Sequence, residues 1–222
     1  MRTRYHHDLG QLTGQLRAMC LRDRAAIITA TRALLDADLE HAELAIDIVR
    51  EINTLRTDCE HAAVTLLALQ APVAGELRQV VTTIQVVGDL TRMGTLADHI
   101  ATIARRRHPA CAVPPSTHPT VVRMGEAAAA MATSAAAVLA SGDPDDAARL
   151  DRQDDTMDHL HQTLLASMLA NDWTGGTTAV VDLTLLARFY ERFADHAVEV
   201  GRRTIYMTTG ETPDLHLPQP SE

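Results

Sequence analysis

The sequence predicts an all-α protein built from two tandem three-helix bundles. Hydrophobic residues make up 46% of the 222 residues but aromatic residues only 3%, so the core is aliphatic, which suits close-packed helices better than sheets. Apolar residues recur at spacings of three and four, the period of an amphipathic helix. A proline-rich segment at 108–119 divides the chain into two halves, and each half shows three helical segments.

Three long helices are predicted in the first half. The first helix opens near Leu9 and continues to Leu35, and the second follows the break at Asp36–Asp38. Pro72 restarts the chain, and we place it in the first turn of the third helix, where proline is tolerated. That helix ends in Arg105–Arg107, because cations suit the negative end of the helix dipole. We interpret this basic run as a helix terminus and not as a nucleic-acid patch.

The second half repeats the plan of the first. An Ala-rich fourth helix stops at Gly142, and the fifth begins with Asp143 as N-cap and Pro144 in the first turn. A loop containing Gly175–Gly176 leads to a sixth helix from about residue 179 to 207.

Similar residues recur at a constant spacing in the two halves. Asp38 and Ile52 correspond to Asp143 and Met157, each 105 residues later, which indicates an internal duplication. The predicted organisation is a first repeat at 1–107, a linker at 108–119, a second repeat at 120–210 and a disordered Pro-rich tail at 211–222.

Composition excludes several classes of protein. The net charge is 20 − 29 = −9, which argues against a nucleic-acid binder. The three cysteines are scattered, which argues against a disulfide framework or a thiolate zinc site. The polar first ten residues do not form a signal peptide, and the longest uncharged run, Ala127–Gly142, is shorter than the about 20 apolar residues of a membrane span. We therefore expect a cytoplasmic protein with no membrane insertion.

Carboxylates at helical spacing form the candidate site. Glu191 and Asp195 are four residues apart, so both project from one face of the sixth helix. Asp154 interrupts the apolar stripe of the fifth helix, and Asp158 is one turn further along. Adjacent carboxylates repel unless a cation or proton lies between them, so these four residues predict a metal site with oxygen ligands. A solvated acidic face, with Arg192 as a local ion-pair partner, is the alternative.

Two separated segments resemble the PhoU family. They are LLALQAPVAGELRQVV at 66–81 and LLARFYERFADHAVEVGRRTIYMTTGE at 185–211. The acidic stretch DDTMDHL at 154–160 fits the fifth helix of that family. The resemblance spans residues 5–210 and includes the duplicated three-helix plan.

The resemblance implies a cytoplasmic regulator of phosphate uptake and not an enzyme. PhoU proteins repress the phosphate-starvation response, as adaptors between a phosphate ABC transporter and a phosphate-sensing histidine kinase, and many are homodimers. Some bind metal through E/D-x-x-x-D motifs on the third and sixth helices, so iron, manganese, magnesium or zinc is implied here as well.

The first of the two family motifs departs from the pattern. Glu191 and Asp195 form the intact second motif, whereas Thr91 and Thr95 occupy the carboxylate positions of the first. Asp89 and Asp98, with His99, are nearby and are candidate replacement ligands. Otherwise the first site is vestigial.

Two other classes of helical protein are possible alternatives. A ferritin-like di-iron protein also holds carboxylates inside a helical bundle, but it needs two E-x-x-H motifs. This chain has a single related pattern, Asp158-x-x-His161. A helix-turn-helix regulator is disfavoured because no short motif with a basic recognition helix is visible.

Overall fold

The computed structural model describes residues 2–211, with side chains from Tyr5 onward. Within that range there are six helices and no strand, which confirms the predicted all-α fold. The helices are α1 (Arg2–Asp36), α2 (Leu39–Gln70), α3 (Gly75–Arg107), α4 (His118–Ser141), α5 (Pro144–Leu169) and α6 (Gly176–Thr209).

The helices pack in two layers around one continuous core. Helices α2, α3, α6 and α5 lie side by side in that order, and α1 and α4 cover the layer from one side. Helix α1 packs on α2 and α3, helix α4 packs on α5 and α6, and α1 and α4 also contact each other. The two halves of the chain therefore meet along α3 and α6 in one layer and along α1 and α4 in the other.

Capping residues determine where several helices begin and end. Asp38 accepts a hydrogen bond from the backbone N–H of His41 at the start of α2, and Asp143 accepts one from Asp145 at the start of α5. This confirms Asp143 as an N-cap. Gly142 and Gly210 adopt left-handed backbone conformations after α4 and α6, a conformation that glycine adopts without steric cost.

Four boundaries differ from the sequence-based expectation, one of them the start of α6 at Gly176, about three residues earlier than expected. Pro72 lies in the turn between α2 and α3 and not in the first turn of a helix, because α3 begins only at Gly75. Helix α4 begins at His118, so its first two residues lie inside the expected linker. Helix α1 begins at Arg2, seven residues before Leu9. The tail predicted to be disordered lies outside the described residues except for Glu211.

Helix α4 is long and apolar enough, by composition alone, to cross a membrane. However, 56% of its most apolar window is buried inside the protein. Core helices of globular proteins pass the same test, and the buried residues of α4 include Met124, Ala128 and Met131.

Candidate functional site

Helices α3 and α6 are antiparallel neighbours, joined by charged contacts between the two repeats. Near one end, Asp182 of α6 is only 1% exposed and accepts hydrogen bonds from Arg106 Nη2 at 3.0 Å and Arg107 Nε at 2.5 Å. Near the other end, Arg78 Nε donates to the carbonyl oxygen of Met207 at 3.4 Å. The two segments that carry the family resemblance therefore contact each other, one from each repeat.

A second buried carboxylate, Asp89 of α3, is held by two cationic or polar groups of α6. Its Oδ1 lies 3.1 Å from Nδ1 of His196, and its Oδ2 accepts a hydrogen bond from Arg203 Nε at 2.7 Å. Asp89 was a candidate metal ligand of the first repeat. The structure instead places it across the boundary between the repeats, with its charge balanced by Arg203.

Asp89, His196 and Arg203 border a cleft of about 420 Å³ on the outer side of α6. Helix α3 contributes to one wall and helix α5 to the other. The lining residues are charged or polar except for one valine: Asp89, Asp154, Arg192, Asp195, His196, Val198, Glu199, Arg202 and Arg203.

Two carboxylates in this cleft, Asp154 and Asp195, repel each other. Burial raises the pKa of Asp154 to about 6, and the negative charges of Asp158 and Asp195 add to this rise. Burial also raises the pKa of Asp195, with a further contribution from Glu191. Oδ1 of Asp154 is buried and has no hydrogen-bond partner among residues 2–211. A proton or a cation would stabilise this pair.

The other predicted ligands lie outside the cleft lining. Glu191 is paired with Arg188, one turn away on its own helix. Asp158 is exposed on α5, and Asp98 is half-buried on α3. The six predicted ligands are therefore not brought to one point.

In the first repeat, the positions equivalent to the carboxylates of the second repeat carry other residues. The hydroxyls of Thr91 and Thr95 donate to the carbonyls of Val87 and Thr91 on their own helix. On α2, the positions 105 residues before Asp151, Asp154 and Asp158 are occupied by Ile46, Val49 and Asn53. This supports the interpretation of the first site as vestigial.

In the part of the chain that the structure describes, no three His, Cys, Asp or Glu side chains form a group that could hold a metal ion. The arrangement therefore does not fit a multinuclear cluster. Asp154 and Asp195 line the same cleft, and Oδ1 of Asp154 has no hydrogen-bond partner among the described residues. Binding of iron, manganese, magnesium or zinc by this pair stays a prediction.

Two buried acids were missed by the sequence reasoning. Asp23 of α1 is fully buried, and it continues the apolar spacing of Leu16, Cys20 and Ile27, the same signal that singled out Asp154. Asp182 was missed because its partners, Arg106 and Arg107, lie on another helix. The buried face of α6 includes Leu183, Leu186, Tyr190, Phe193 and Ala197, which leaves Glu191 and Asp195 on the outer side.

Comparison with known proteins shows similarity along nearly the whole chain. A family model described as the PhoU domain matches residues 16–104 and 121–204. The chain is 49% identical to the phosphate-specific transport system accessory protein PhoU homolog 2 of Mycobacterium tuberculosis, over 96% of this chain and 100% of that protein. It is 46% identical to PhoU homolog 1 of Mycobacterium leprae, over 96% of each chain. The crystal structure of PhoU from Pseudomonas aeruginosa superposes with a TM-score of 0.83 at 26% identity, covering 93% of this chain and 100% of that one.

Proposed function

The chain belongs to the PhoU family of phosphate-transport accessory proteins, and we propose that it represses the phosphate-starvation response when phosphate is plentiful. In this role it acts in the cytoplasm as an adaptor between a phosphate ABC transporter and a phosphate-sensing histidine kinase. The family consists of regulatory accessory proteins and not of enzymes, so the output depends on contact with partner proteins.

The main support is the identity of 46–49% with accessory proteins of phosphate-specific transport systems. That identity extends over 96% of the chain, so both repeats are included. The two repeats are joined by the buried contacts of Asp89 and Asp182. The adaptor would therefore hold the surfaces of both repeats in a fixed arrangement toward its partners.

The charge of α5 supports a docking role toward membrane proteins. Its exposed residues include Asp155 and Asp158, and the whole chain has a net charge of −9. Cytoplasmic segments of membrane proteins are enriched in Lys and Arg, and opposite charge accelerates and orients such encounters. The acidic face of α5 is therefore our candidate contact for the transporter.

Co-purification of transporter components with the tagged protein tests this contact. We expect Asp155→Arg combined with Asp158→Arg to reduce recovery of the transporter at least tenfold, since the change replaces attraction by repulsion. The matched control, Asp58→Arg with Glu60→Arg, reverses the same amount of charge on exposed positions of α2. Equal recovery of the transporter with both double variants would contradict the assignment of this face.

A further inference from the structure

The outer face formed by α1 and α4 differs in charge from the rest of this acidic chain. Between Leu9 and Leu35, helix α1 carries four arginines and a single acidic residue, Asp23, which is fully buried. Residues 127–142 of α4 contain no charged side chain. The face therefore combines positive charge with small neutral side chains, although the whole chain has a net charge of −9.

An exposed stripe of α1 supplies apolar side chains and cations along this face. The stripe consists of exposed residues three or four apart in the sequence: Gly14, Arg17, Leu21, Arg24 and Ile28. Leu21 is 55% exposed and Ile28 is 39% exposed. Arg17 and Arg24 form no ion pair with any residue in the part of the chain that the structure describes. The stripe is therefore able to bind a ligand that carries both apolar groups and negative charge.

A groove follows the seam between α1 and α4. It begins at a cavity of about 180 Å³ lined in part by Thr13, Ala140 and Thr208. Further along it widens to a volume of about 640 Å³, lined in part by Arg24 and Ala130. Because the numbering rises along α1 and falls along α4, the two helices are antiparallel and the seam continues from one cavity to the other.

The residues that follow α6 start at the beginning of this seam. Thr208, in the last turn of α6, lies against the end of α4, since a Cβ on Gly142 would lie 2.9 Å from Cγ2 of Thr208. Gly210 adopts a left-handed conformation, which ends α6 and turns the backbone away from the helix axis. Residues 212–222 lie outside the described part of the structure, and this is the point from which they continue.

We propose that residues 212–222 bind along the seam between α1 and α4 of the same chain. In an extended conformation these residues span about 34 Å, at a rise of about 3.1 Å per residue. The seam from Thr13 to Thr31 is about 27 Å long, at a rise of about 1.5 Å per residue of α1. The segment is therefore long enough to cover the seam.

The sequence of this segment, TPDLHLPQPSE, complements the face in shape and in charge. Its three prolines, and the restriction that each places on the residue before it, favour an extended backbone. Leu215 and Leu217 are two positions apart, so both lie on one side of an extended backbone. The acidic residues Asp214 and Glu222 are not balanced by any Lys or Arg within the segment, which matches the arginines of α1.

Distances along the backbone bring the matching groups together. In the extended segment, Asp214 lies about 12 Å and Leu217 about 22 Å from the end of α6. Along α1, Arg17 and Arg24 lie about 6 Å and about 17 Å from the start of the seam, and Ile28 lies about 22 Å from it. The carboxylate of Asp214 therefore reaches the space between the two arginines, and Leu217 reaches Ile28.

Cross-linking between two introduced cysteines in the full-length chain tests the proposal. Cys111, the exposed cysteine among three, is replaced by serine, and His216→Cys is combined with Ala130→Cys on α4. The matched control combines His216→Cys with Thr156→Cys, an exposed position of α5. Positions 130 and 156 are equally far from the turn between α4 and α5. With a short bismaleimide we expect the link to position 130 at least about tenfold more often than the link to position 156, because binding raises the local concentration of the segment.

Reversal of the two arginine charges tests the contact with Asp214. Arg17→Glu with Arg24→Glu should lower the yield of the link to position 130 about fivefold, because attraction is replaced by repulsion. Arg50→Glu with Arg152→Glu reverses the same amount of charge on exposed positions of α2 and α5 and should leave the yield unchanged. Circular dichroism verifies that each variant is folded.

Equal yields at positions 130 and 156 would overturn the proposal, because the segment would then have no preferred position. A product of twice the 24.1 kDa mass without a link inside one chain would also overturn it, because a second copy would then cover the face. A yield that Arg17→Glu with Arg24→Glu leaves unchanged would contradict the contact with α1. The outcome is independent of the proposed regulatory role, because the experiment uses only the purified chain.

Discussion

Replacing Asp23 with asparagine should stabilise the protein at neutral pH. The side chain of Asp23 on α1 is fully buried, and neither carboxylate oxygen has a hydrogen-bond partner within residues 2–211. The carboxylate lies beside Gly94 of α3, since a Cβ on Gly94 would lie 3.2 Å from Oδ1 of Asp23. Burial without a partner raises the pKa of Asp23 well above its usual value.

Because the pKa of Asp23 is raised in the folded state, the stability of the protein depends on pH. The folded state holds the proton of Asp23 more tightly than the unfolded chain, whose aspartates titrate near pH ~3.9. Between that pH and the folded-state pKa, the unfolded state releases the proton and the folded state keeps it, so stability falls as pH rises. The loss is about 1.4 kcal/mol per pH unit. Asparagine does not ionise, so the Asp23→Asn variant does not lose stability in this way. Its gain in stability over the wild type should therefore be absent near pH 4 and should grow with pH.

Urea unfolding followed by circular dichroism at pH 4, 5, 6 and 7 measures this difference. We expect the free energies of unfolding of the wild type and Asp23→Asn to agree within about 1 kcal/mol at pH 4. The two values should separate as pH rises toward the folded-state pKa of Asp23, by at most about 1.4 kcal/mol per pH unit. Asp58→Asn, an exposed control on α2, should show no such trend. A constant difference at all four pH values, or a less stable Asp23→Asn at pH 7, would refute the reasoning.

Three further predictions concern the boundary between the repeats and the candidate metal site. Asp182→Ala should lower the free energy of unfolding by about 1–3 kcal/mol, because two partly exposed arginines lose their buried partner; chemical denaturation measures this loss. Asp195→Ala should reduce the metal bound after chelation and reloading, measured by elemental analysis, and metal content equal to wild type would remove Asp195 from the site. Thr91→Glu with Thr95→Asp should raise the metal stoichiometry, because carboxylates replace hydroxyls that are engaged with their own helix. An unchanged stoichiometry would show that the first repeat cannot be restored from α3 alone.

The fold could be predicted from the sequence because local signals agreed with the global pattern. Apolar spacing of three and four, the N-cap Asp143 and the glycines after α4 and α6 each depend on nearby residues. Pro72 was misplaced because a proline after a helix can either begin the next helix or occupy the turn before it. The two cases are distinguished by the left-handed backbone conformation of Ala71, which the sequence does not reveal.

The candidate site was only partly predictable, because its contacts cross between the repeats. The spacing of Glu191 and Asp195 indicated one face of α6, but spacing on one helix carries no information about Arg203 reaching Asp89 on another. Asp182 was missed for the same reason, since its partners are at the end of α3. Asp23 was predictable in principle, because it occupies an apolar position of α1 as Asp154 does on α5.

The most direct test of the proposed regulatory role is the activity of a phosphate-starvation promoter in phosphate-rich medium. A reporter strain lacking this protein and every PhoU-type paralogue is compared with the same strain carrying the wild-type chain. We predict that the promoter remains active at high phosphate in the deletion strain and is repressed again by the wild-type chain. Normal repression in the strain lacking all paralogues would contradict the proposed role.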